Sequence, residues 1–286
     1  MKYRVLYYGN CQSGALASFI KLDPNEYKVI DVLCHKTPYT KDEFIQLLQS
    51  SDIVITQPIS DGYRDVDYLS SSFVIENCPG RVIIFDSCWF DFYYPDLHYK
   101  LQTNGQIISH PHDYHYHSLI EKCYIAGKPI PFFITESVEN ASFLSREELE
   151  ERAEKSLQEL EKRYHHSLSI YATPTSGKVQ VVTMVDYIRE NYKKVLLFYS
   201  VNHPTKYLFQ VLAERILNVS NIPFNSWSIA QHVDPLNGYR GILYRCVRDI
   251  VDFDTTQYSP YCLEETDVDT IAHKYIQAYT SQNIQF

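Results

Sequence analysis

A cysteine in a short polar turn is the first residue of this sequence that could do chemistry. The segment Gly9-Asn10-Cys11-Gln12 follows a β-rich run and opens a helical pattern. A helix N-terminus lowers the pKa of a thiol placed there, which favours the nucleophilic thiolate. The side-chain amides of Asn10 and Gln12, with the backbone N–H groups of the turn, could hold an oxyanion. The same pattern also suits a buried structural cysteine, and the turn alone leaves both interpretations open.

Two segments contain histidines that could act as the base for such a thiol. The first segment is a cluster that comprises His110, His112, Asp113, His115 and His117. The second is Asn202-His203-Pro204-Thr205, where a strand pattern meets a helix, so Pro204 fits the first helical position and Asn202 or His203 would cap the helix. Neither segment has the spacing of a zinc site, and we therefore expect no metal.

Alternating strands and helices are predicted over the first hundred residues, and they must position these side chains. Continuous apolar strands separated by helices indicate a parallel sheet covered on both faces. Ligands of such sheets bind beyond the carboxyl ends of the strands, where Cys11 and Gln57 fall. The helices are predicted around Leu16 to Ile20 and over Lys41 to Gln49. The strands are predicted over Tyr3 to Tyr8, Lys28 to Cys34, Asp52 to Thr56 and Arg81 to Phe85.

The rest of the chain predicts a mainly helical portion with one further strand near 195–201. Ser145 and Glu148 form a capping box that opens a helix to about Tyr164. We expect an α/β fold in one compact unit, 1–286, with a parallel-sheet half of about 1–100 and a mainly helical half of about 101–286. Further helices are predicted over 179–192, through Leu208 to Ile216, and over 266–279.

Composition narrows the possible functions. The 286 residues carry 35 Asp and Glu against 26 Lys and Arg, a net charge of −9, which argues against a general nucleic-acid binder. A hydrophobic content of 45% excludes a disordered chain. The seven cysteines include no C-x-x-C pair. No apolar run reaches the roughly 18 residues of a membrane span, and the N-terminal apolar run is short for a signal peptide, so we expect a cytoplasmic protein.

Five short motifs follow one another along the chain: YYGNCQ at 7–12, DIVITQP at 52–58, YYPDL at 93–97, YHS at 116–118 with Gly127 downstream, and NHPT at 202–205. Together they resemble the WcbI family of polysaccharide-biosynthesis proteins, regarded as coenzyme-A-dependent acetyltransferases. The resemblance extends to about residue 240. It implies an SGNH-hydrolase-type α/β subdomain in a larger, mainly helical fold, with Cys11 where that class of hydrolase carries its serine.

The resemblance implies roles for individual residues. Tyr116-His117 matches a family Tyr-His pair that is usually followed by Asp, where this chain has Ser118, so Asp113 is the nearby substitute for a supporting acid. His117 is the favoured base and His203 its rival. The residues expected to line the acyl-transfer centre or to bind the acyl donor are Gly9, Asn10, Cys11, Gln12, Ser13, Gln57, Tyr94 and Asn202.

The function expected is transfer of an acetyl group from acetyl-CoA to a hydroxyl of a sugar, nucleotide sugar or glycan in capsule or polysaccharide biosynthesis. Either Cys11 takes the acetyl group, or a histidine activates the sugar directly while Cys11 positions the thioester. The alternatives are a cysteine-dependent esterase or thioesterase and a non-catalytic glycan-binding protein, which the 25 tyrosines would suit. The phosphates of CoA require a local basic spot, for which the candidates are Lys128, Lys206, Arg240 and Arg245.

Overall fold

The structure, a computed structural model, describes residues 2–36, 39–101, 107–108, 115–128, 144–172, 177–230, 232–238 and 240–255. His110, His112, Asp113 and the helix predicted over 266–279 lie outside the described residues. The chain forms two compact units of interleaved segments. The first unit comprises Met1–Cys88, Leu157–Glu190 and His203–Leu236, and the second comprises Trp89–Ser156, Asn191–Asn202 and the chain from Asn237.

Strands and helices alternate along the described chain. The strands are β1 (Tyr3–Gly9), β2 (Ile20–Leu22), β3 (Tyr27–Leu33), β4 (Ile53–Thr56), β5 (Arg81–Phe85), β6 (Leu97–Tyr99), β7 (His115–His117), β8 (Val179–Val182), β9 (Phe198–Ser200), β10 (His203–Pro204) and β11 (Trp227–Ile229). The helices are α1 (Cys11–Phe19), α2 (Lys41–Gln49), α3 (Ser71–Asn77), α4 (Ser118–Ile125), α5 (Arg146–Tyr171), α6 (Val185–Asn191), α7 (Lys206–Ser220) and α8 (Arg245–Arg248).

A five-stranded sheet forms the centre of the first unit, in the spatial order β3-β1-β4-β5-β8. All four neighbouring pairs are parallel, which confirms the predicted α/β fold. Numbered along the chain within the sheet, the order is 2-1-3-4-5, so the strand order reverses between β1 and β4. In sheets of this kind the ligand crevice lies at that reversal, beyond the carboxyl ends of the two strands.

Burial on both faces explains why the central strands are continuously apolar. Leu6 and Tyr8 of β1 belong to a buried cluster with Phe44 of α2 and Val74 of α3. In the same unit, Phe19 of α1 packs against Phe209 of α7 with 6.1 Å between ring centroids. The central strands β4 and β5 lack an alternation of apolar and polar residues because both of their faces are covered.

The helix predicted over 179–192 is wrong in its first half. Val179–Val182 pairs in parallel with the segment from Val82 to Phe85 and becomes the edge strand β8. The chain then passes Thr183 and Met184 before α6 begins. Backbone hydrogen bonds to β5 stabilise these valines as a strand, which short-range periodicity does not report. Within the described residues, the segment 179–182 is therefore a strand where the sequence predicts a helix.

Helix starts were predicted with mixed success. The capping box at α5 is confirmed, since Glu148 Oε2 accepts from Ser145 N at 2.7 Å and Ser145 Oγ accepts from Glu148 N at 3.1 Å. The prediction of Pro204 as the first residue of α7 is wrong, as is capping by Asn202 or His203. Thr205 is the N-cap of α7, and Pro204 lies in the extended strand β10. The fixed φ of proline suits an extended segment as well as a helix start.

The second unit packs around aromatic side chains. Phe90 stacks on Phe198 at 5.7 Å and meets Tyr192 edge-on at 5.4 Å. Strands β6 and β7 form an antiparallel pair in which Leu97 lies opposite His117. Among the described residues no helix combines the length and the apolar character that crossing a membrane requires.

Candidate functional site

The turn that carries Cys11 lies where the strand order of the sheet reverses. Strand β1 ends at Gly9, and Asn10 is the N-cap of α1, with extended backbone at φ −85° and ψ −162°. Its side-chain oxygen accepts from Gln12 N at 2.8 Å. Asparagine is among the residues that cap helices best because its side chain replaces a missing backbone acceptor. Cys11 is consequently the first residue of α1, as the sequence predicts.

Cys11 differs from the other described cysteines in its exposure. It is partly exposed, whereas Cys34, Cys78, Cys88 and Cys246 are buried. Burial raises the pKa of each of these four thiols above its ordinary value, most strongly at Cys88. A raised pKa reduces the thiolate fraction, and buried thiols are inert structural residues. Of these cysteines, Cys11 is therefore the one suited to act as a nucleophile.

A network of buried side-chain amides holds the turn in place. Gln57 follows β4, and its Oε1 accepts from Asn10 N at 3.0 Å while its Nε2 donates to Gln12 Oε1 at 3.3 Å. The Gln12 amide also forms two hydrogen bonds with the backbone of Cys88, since Oε1 accepts from Cys88 N at 3.0 Å and Nε2 donates to Cys88 O at 2.8 Å. Gln12 is 0% and Gln57 2% exposed. Both side chains are thus engaged in positioning the turn.

This network changes the roles expected of the turn's polar groups. The N–H groups of Asn10 and Gln12, expected to hold an oxyanion, donate to side-chain oxygens of the protein. The Asn10 amide itself is half-buried and reaches Ser87 Oγ in a longer bond of 3.3 Å. Because that bond is long, the Asn10 Nδ2 group is the donor beside Cys11 that a ligand oxygen could engage at least cost.

Gly9 and Ser13 complete the wall of the turn. A Cβ at Gly9 would lie 2.7 Å from Gln57 Oε1 and 2.9 Å from Ser13 Cβ, so the backbone approaches both side chains too closely for any larger residue. Ser13 is 0% exposed, and its Oγ has no hydrogen-bond partner among the described residues. A buried hydroxyl without a partner is costly, and it marks a place where a ligand could supply the missing bond.

Gly9→Ala is expected to disturb the turn without disrupting the sheet. The added methyl must displace Gln57 or Ser13, which should lower the free energy of unfolding by about 1–3 kcal/mol and misplace Cys11. Urea unfolding, together with the rate at which a small alkylating reagent modifies Cys11, measures both effects. Gly238→Ala is the control, since a Cβ there meets nothing within 4 Å. Equal behaviour of the two variants would contradict the packing at Gly9.

Asp86 follows β5 at the same edge of the sheet and is 5% exposed. Its Oδ2 accepts from Met184 N at 3.0 Å. Burial raises the pKa of this carboxyl to about 6, against the effect of hydrogen bonds from Thr183 and Met184. The native state thus holds the Asp86 proton more tightly than the unfolded chain does. Its contribution to stability is complete below the unfolded pKa and is lost as the pH rises towards about 6.

Asp86→Asn should therefore stabilise the protein at neutral pH. The amide keeps an oxygen for Met184 N and removes the buried charge, so the free energy of unfolding should rise by at most about 3 kcal/mol at pH 7 and change little near pH 4. Urea unfolding across this pH range checks the prediction. Asp61→Asn, at an exposed position, serves as control. A variant less stable than the parent at pH 7 would show that the ionised carboxylate stabilises the fold.

In the second unit, His117 forms a buried pair with Asp96. His117 Nδ1 lies 3.1 Å and 3.0 Å from the two oxygens of the Asp96 carboxylate. Tyr244 donates its hydroxyl to Asp96 Oδ2 at 2.5 Å. His117 is 0% and Asp96 4% exposed. A carboxylate at Nδ1 favours the tautomer with hydrogen on that nitrogen, which makes Nε2 the basic position.

Asp96 is the carboxylate that supports His117, and this role was not predicted from the sequence. The supporting acid was sought near His117 in sequence, and Asp113 was the substitute considered. Asp96 instead stands just before β6, and the antiparallel pairing of β6 with β7 brings it to His117. The YYPDL motif contained this residue, but its role depends on the pairing of two three-residue strands, which carry almost no sequence signal.

Two residues expected to bind the acyl donor are engaged within the second unit. Tyr94 is 2% exposed and donates its hydroxyl to Phe198 O at 2.9 Å, which is a packing role. Asn202 Oδ1 lies 2.9 Å from His115 Nε2, and Asn202 Nδ2 donates to Tyr99 Oη at 2.6 Å. The Asn202 amide therefore organises side chains of its own unit.

The rival base and the four residues expected to bind the phosphates of CoA lie in different surroundings. His203 is half-buried in the first unit. Arg240 lies over the ring of Tyr199 at 4.8 Å, and Arg245 pairs with Asp249 at 3.5 Å. Lys206 lies over the ring of Tyr207, and Lys128 is exposed. Within the described ranges no group of three or more His, Cys, Asp and Glu residues is placed to hold a metal ion.

Comparisons with known proteins give the family. The model of the family described as polysaccharide biosynthesis enzyme WcbI matches residues 4–225. Among solved structures, the fold aligns with one described as native WcbI, a polysaccharide biosynthesis enzyme, without a disulfide bond between CoA and a cysteine. The TM-score is 0.73 at 20% identity, over 99% of this chain and 96% of that chain.

Other comparisons add little. The match to a solved structure of Rv3272 from M. tuberculosis covers 67% of this chain and 59% of that chain at 14% identity, and its TM-score of 0.24 does not indicate a shared fold. No curated protein sequence matches the chain. The family match extends from β1 past α7 and includes the Cys11 turn, Asp96 and His117. The chain therefore belongs to the WcbI family of polysaccharide biosynthesis enzymes.

Proposed function

We propose that the chain is an O-acetyltransferase that moves an acetyl group from acetyl-CoA to a sugar hydroxyl. The observation that carries the proposal is the partly exposed Cys11 thiol at the first position of α1, fixed where the sheet order reverses. The family supports a sugar substrate. The description of the aligned WcbI structure supports CoA as the carrier of the acetyl group. It names CoA together with a cysteine of that protein, in a form without a disulfide bond between the two.

The residues around Cys11 suit a thioester. Cys11 and Asn10 are half-buried, so they can meet a ligand, while Gly9 keeps the wall of the turn flat. The Asn10 Nδ2 group would donate to the thioester carbonyl oxygen, and the unmet Ser13 hydroxyl would supply a further polar contact. The donor supplies an acyl carbon activated by a thiolate leaving group. Gln12 and Gln57 would hold these groups in place without touching the donor.

In the first step, the Cys11 thiolate attacks the thioester carbonyl carbon. The bond from that carbon to the sulfur of CoA breaks, and the departing thiolate takes a proton to leave as CoA-SH. We assign the proton transfers to His117, because the Asp96 carboxylate at Nδ1 orients the ring and selects the tautomer in which Nε2 accepts the proton.

In the second step, the sugar hydroxyl attacks the acetyl group on Cys11. The histidine takes the hydroxyl proton as the new C–O bond forms and the C–S bond to Cys11 breaks. The products are the acetylated sugar and the free Cys11 thiol. His203 is the rival base in this scheme, and replacing each histidine separately in kinetic experiments distinguishes the two.

The experiment that tests the proposal has two parts. CoA at about one hundred times its dissociation constant should stabilise the native protein by about 2.7 kcal/mol, seen as a rise in melting temperature. Release of CoA from acetyl-CoA should then depend on an added sugar acceptor. Release at the same rate without an acceptor, or turnover of simple aryl esters with no response to CoA, would identify a hydrolase and overturn the transferase proposal.

A further inference from the structure

A cavity of about 690 Å³ lies at the opposite edge of the sheet from Cys11, within the first unit. The cavity is lined at the starts of all five strands of the sheet, by Tyr3, Tyr27, Ile53, Arg81 and, next to the start of β8, Lys178. Cys11 follows the other end of β1, and the seven extended residues of that strand separate the two ends by about 20 Å. The volume falls in the range of small-molecule sites, roughly 300–1,000 Å³.

Arg81 is the charged group that gives the cavity its chemistry. It is half-buried, and its Nη1 donates to Val219 O at 2.9 Å. The Asn221 amide oxygen, in the orientation that satisfies both groups, accepts from Nη1 at 2.8 Å and from Nη2 at 2.9 Å. Asn221 can present its amide there because it ends α7 in the left-handed conformation, at φ 59°.

These bonds leave one edge of the guanidinium to be satisfied. The acceptors are neutral, and the described residues place no carboxylate in ion-pair range of Arg81 and no acceptor on its Nε. The edge formed by Nε and the second hydrogen of Nη2 is the one that binds carboxylates and phosphates through two parallel hydrogen bonds. A half-buried cation held in this way favours an anionic ligand.

The rest of the lining favours a sugar ring beside that anion. Tyr3 and Tyr27 stack at 5.8 Å between centroids and 29° between planes, and Tyr3 is 59% exposed. An exposed aromatic face packs well against the C–H groups of a sugar. Lys178 adds a second cation and donates to Ile75 O at 2.6 Å. Asp52 is the carboxylate in the described lining, and it accepts from Arg4 N at 2.7 Å.

We propose that this cavity is a second binding site, for an acidic sugar whose carboxylate or phosphate meets Arg81 and whose ring packs on Tyr3. Since the site lies far from Cys11, it holds a sugar that is not the one being acetylated at that moment. It would retain a charged unit of a glycan or its precursor. The proposal draws on the family's role in polysaccharide biosynthesis and is independent of the acetyl-transfer chemistry.

Titration followed by NMR or calorimetry tests the site with four probes: a glucuronate-containing disaccharide, a sugar phosphate, a neutral disaccharide and inorganic phosphate. We expect at least one acidic sugar to bind about tenfold or more tightly than the neutral sugar and than phosphate alone. Which acidic sugar binds identifies the anion as carboxylate or phosphate. Absence of binding by both acidic sugars, or equal binding of the neutral sugar or of inorganic phosphate, would overturn the proposal.

Variants of the lining locate the binding. Tyr3→Ala removes an exposed ring, and Arg81→Lys keeps the charge but loses the two-point edge, so each should weaken acidic-sugar binding about tenfold. Tyr207→Ala, at another exposed tyrosine of the first unit, should not change it. Binding that is unaffected by both lining variants would contradict the site. Cys11→Ala should retain full acidic-sugar binding, so failure of the acetyl-transfer proposal remains distinguishable from failure of this one.

Discussion

Cys11→Ala is expected to reduce acetyl transfer by about 10³-fold or more in kcat, because the variant lacks the sulfur that would carry the acetyl group. The melting temperature should change little, since Cys11 is half-buried and the hydrogen bonds that fix the turn come from Asn10, Gln12 and Gln57. Steady-state kinetics with acetyl-CoA and a sugar acceptor measure the loss. CoA binding, followed by thermal shift, should persist.

Cys34→Ala is the matched control for this experiment. Cys34 is a buried thiol in the same apolar cluster as Leu6 and Tyr8 of β1, and its replacement should affect stability while kcat stays within a few-fold of the parent. If Cys11→Ala keeps full activity, the covalent route is excluded and a histidine must activate the sugar directly. If Cys34→Ala loses activity as severely as Cys11→Ala, the loss reflects the fold and not the nucleophile.

Asp96→Asn is expected to lower kcat by about 10²- to 10⁴-fold with little change in KM for acetyl-CoA. An amide at this position no longer selects the His117 tautomer with hydrogen on Nδ1, so the ring no longer presents Nε2 as the proton acceptor. The shape of the side chain is retained, and Tyr244 can still donate to the remaining oxygen. The loss should therefore appear in kcat rather than in stability.

Asp91→Asn is the matched control in the same unit. Asp91 is a carboxylate that accepts from Ser156 Oγ at 2.7 Å and has no place in the proposed chemistry. Its replacement should leave kcat within a few-fold of the parent. His203→Gln completes the comparison, because a loss there as large as that of His117→Gln would make His203 the base. Full activity of Asp96→Asn would remove the His117 pair from the mechanism.

The parallel sheet could be predicted from the sequence because its strands are continuous apolar runs. The predicted segments around Tyr3, Lys28, Asp52 and Arg81 match strands β1, β3, β4 and β5 within about two residues. The carboxyl-edge position of Cys11 and Gln57 followed from the rule for parallel sheets, and the bond between Gln57 Oε1 and Asn10 N bears it out.

Other features depend on contacts between distant parts of the chain. Val179–Val182 reads as helical in isolation and becomes a strand because β5 offers a paired edge. Asp96 meets His117 only through the pairing of β6 with β7. Similarly, their residue types made Gln12 and Gln57 candidates for binding a ligand. In the structure their side-chain amides form hydrogen bonds with each other, with the backbone of Cys88 and with Asn10 N. Residue type predicts hydrogen-bonding capacity, and only the fold determines which partner takes it.

The covalent role of Cys11 is tested most directly by mass spectrometry of the protein after mixing with acetyl-CoA in the absence of a sugar acceptor. The proposed mechanism predicts one acetyl group on the peptide that contains Cys11, its absence from Cys11→Ala, and its disappearance when an acceptor is added. Turnover of acetyl-CoA and acceptor with no acetyl group on Cys11 at any time, or an acetyl group that no acceptor removes, would contradict it.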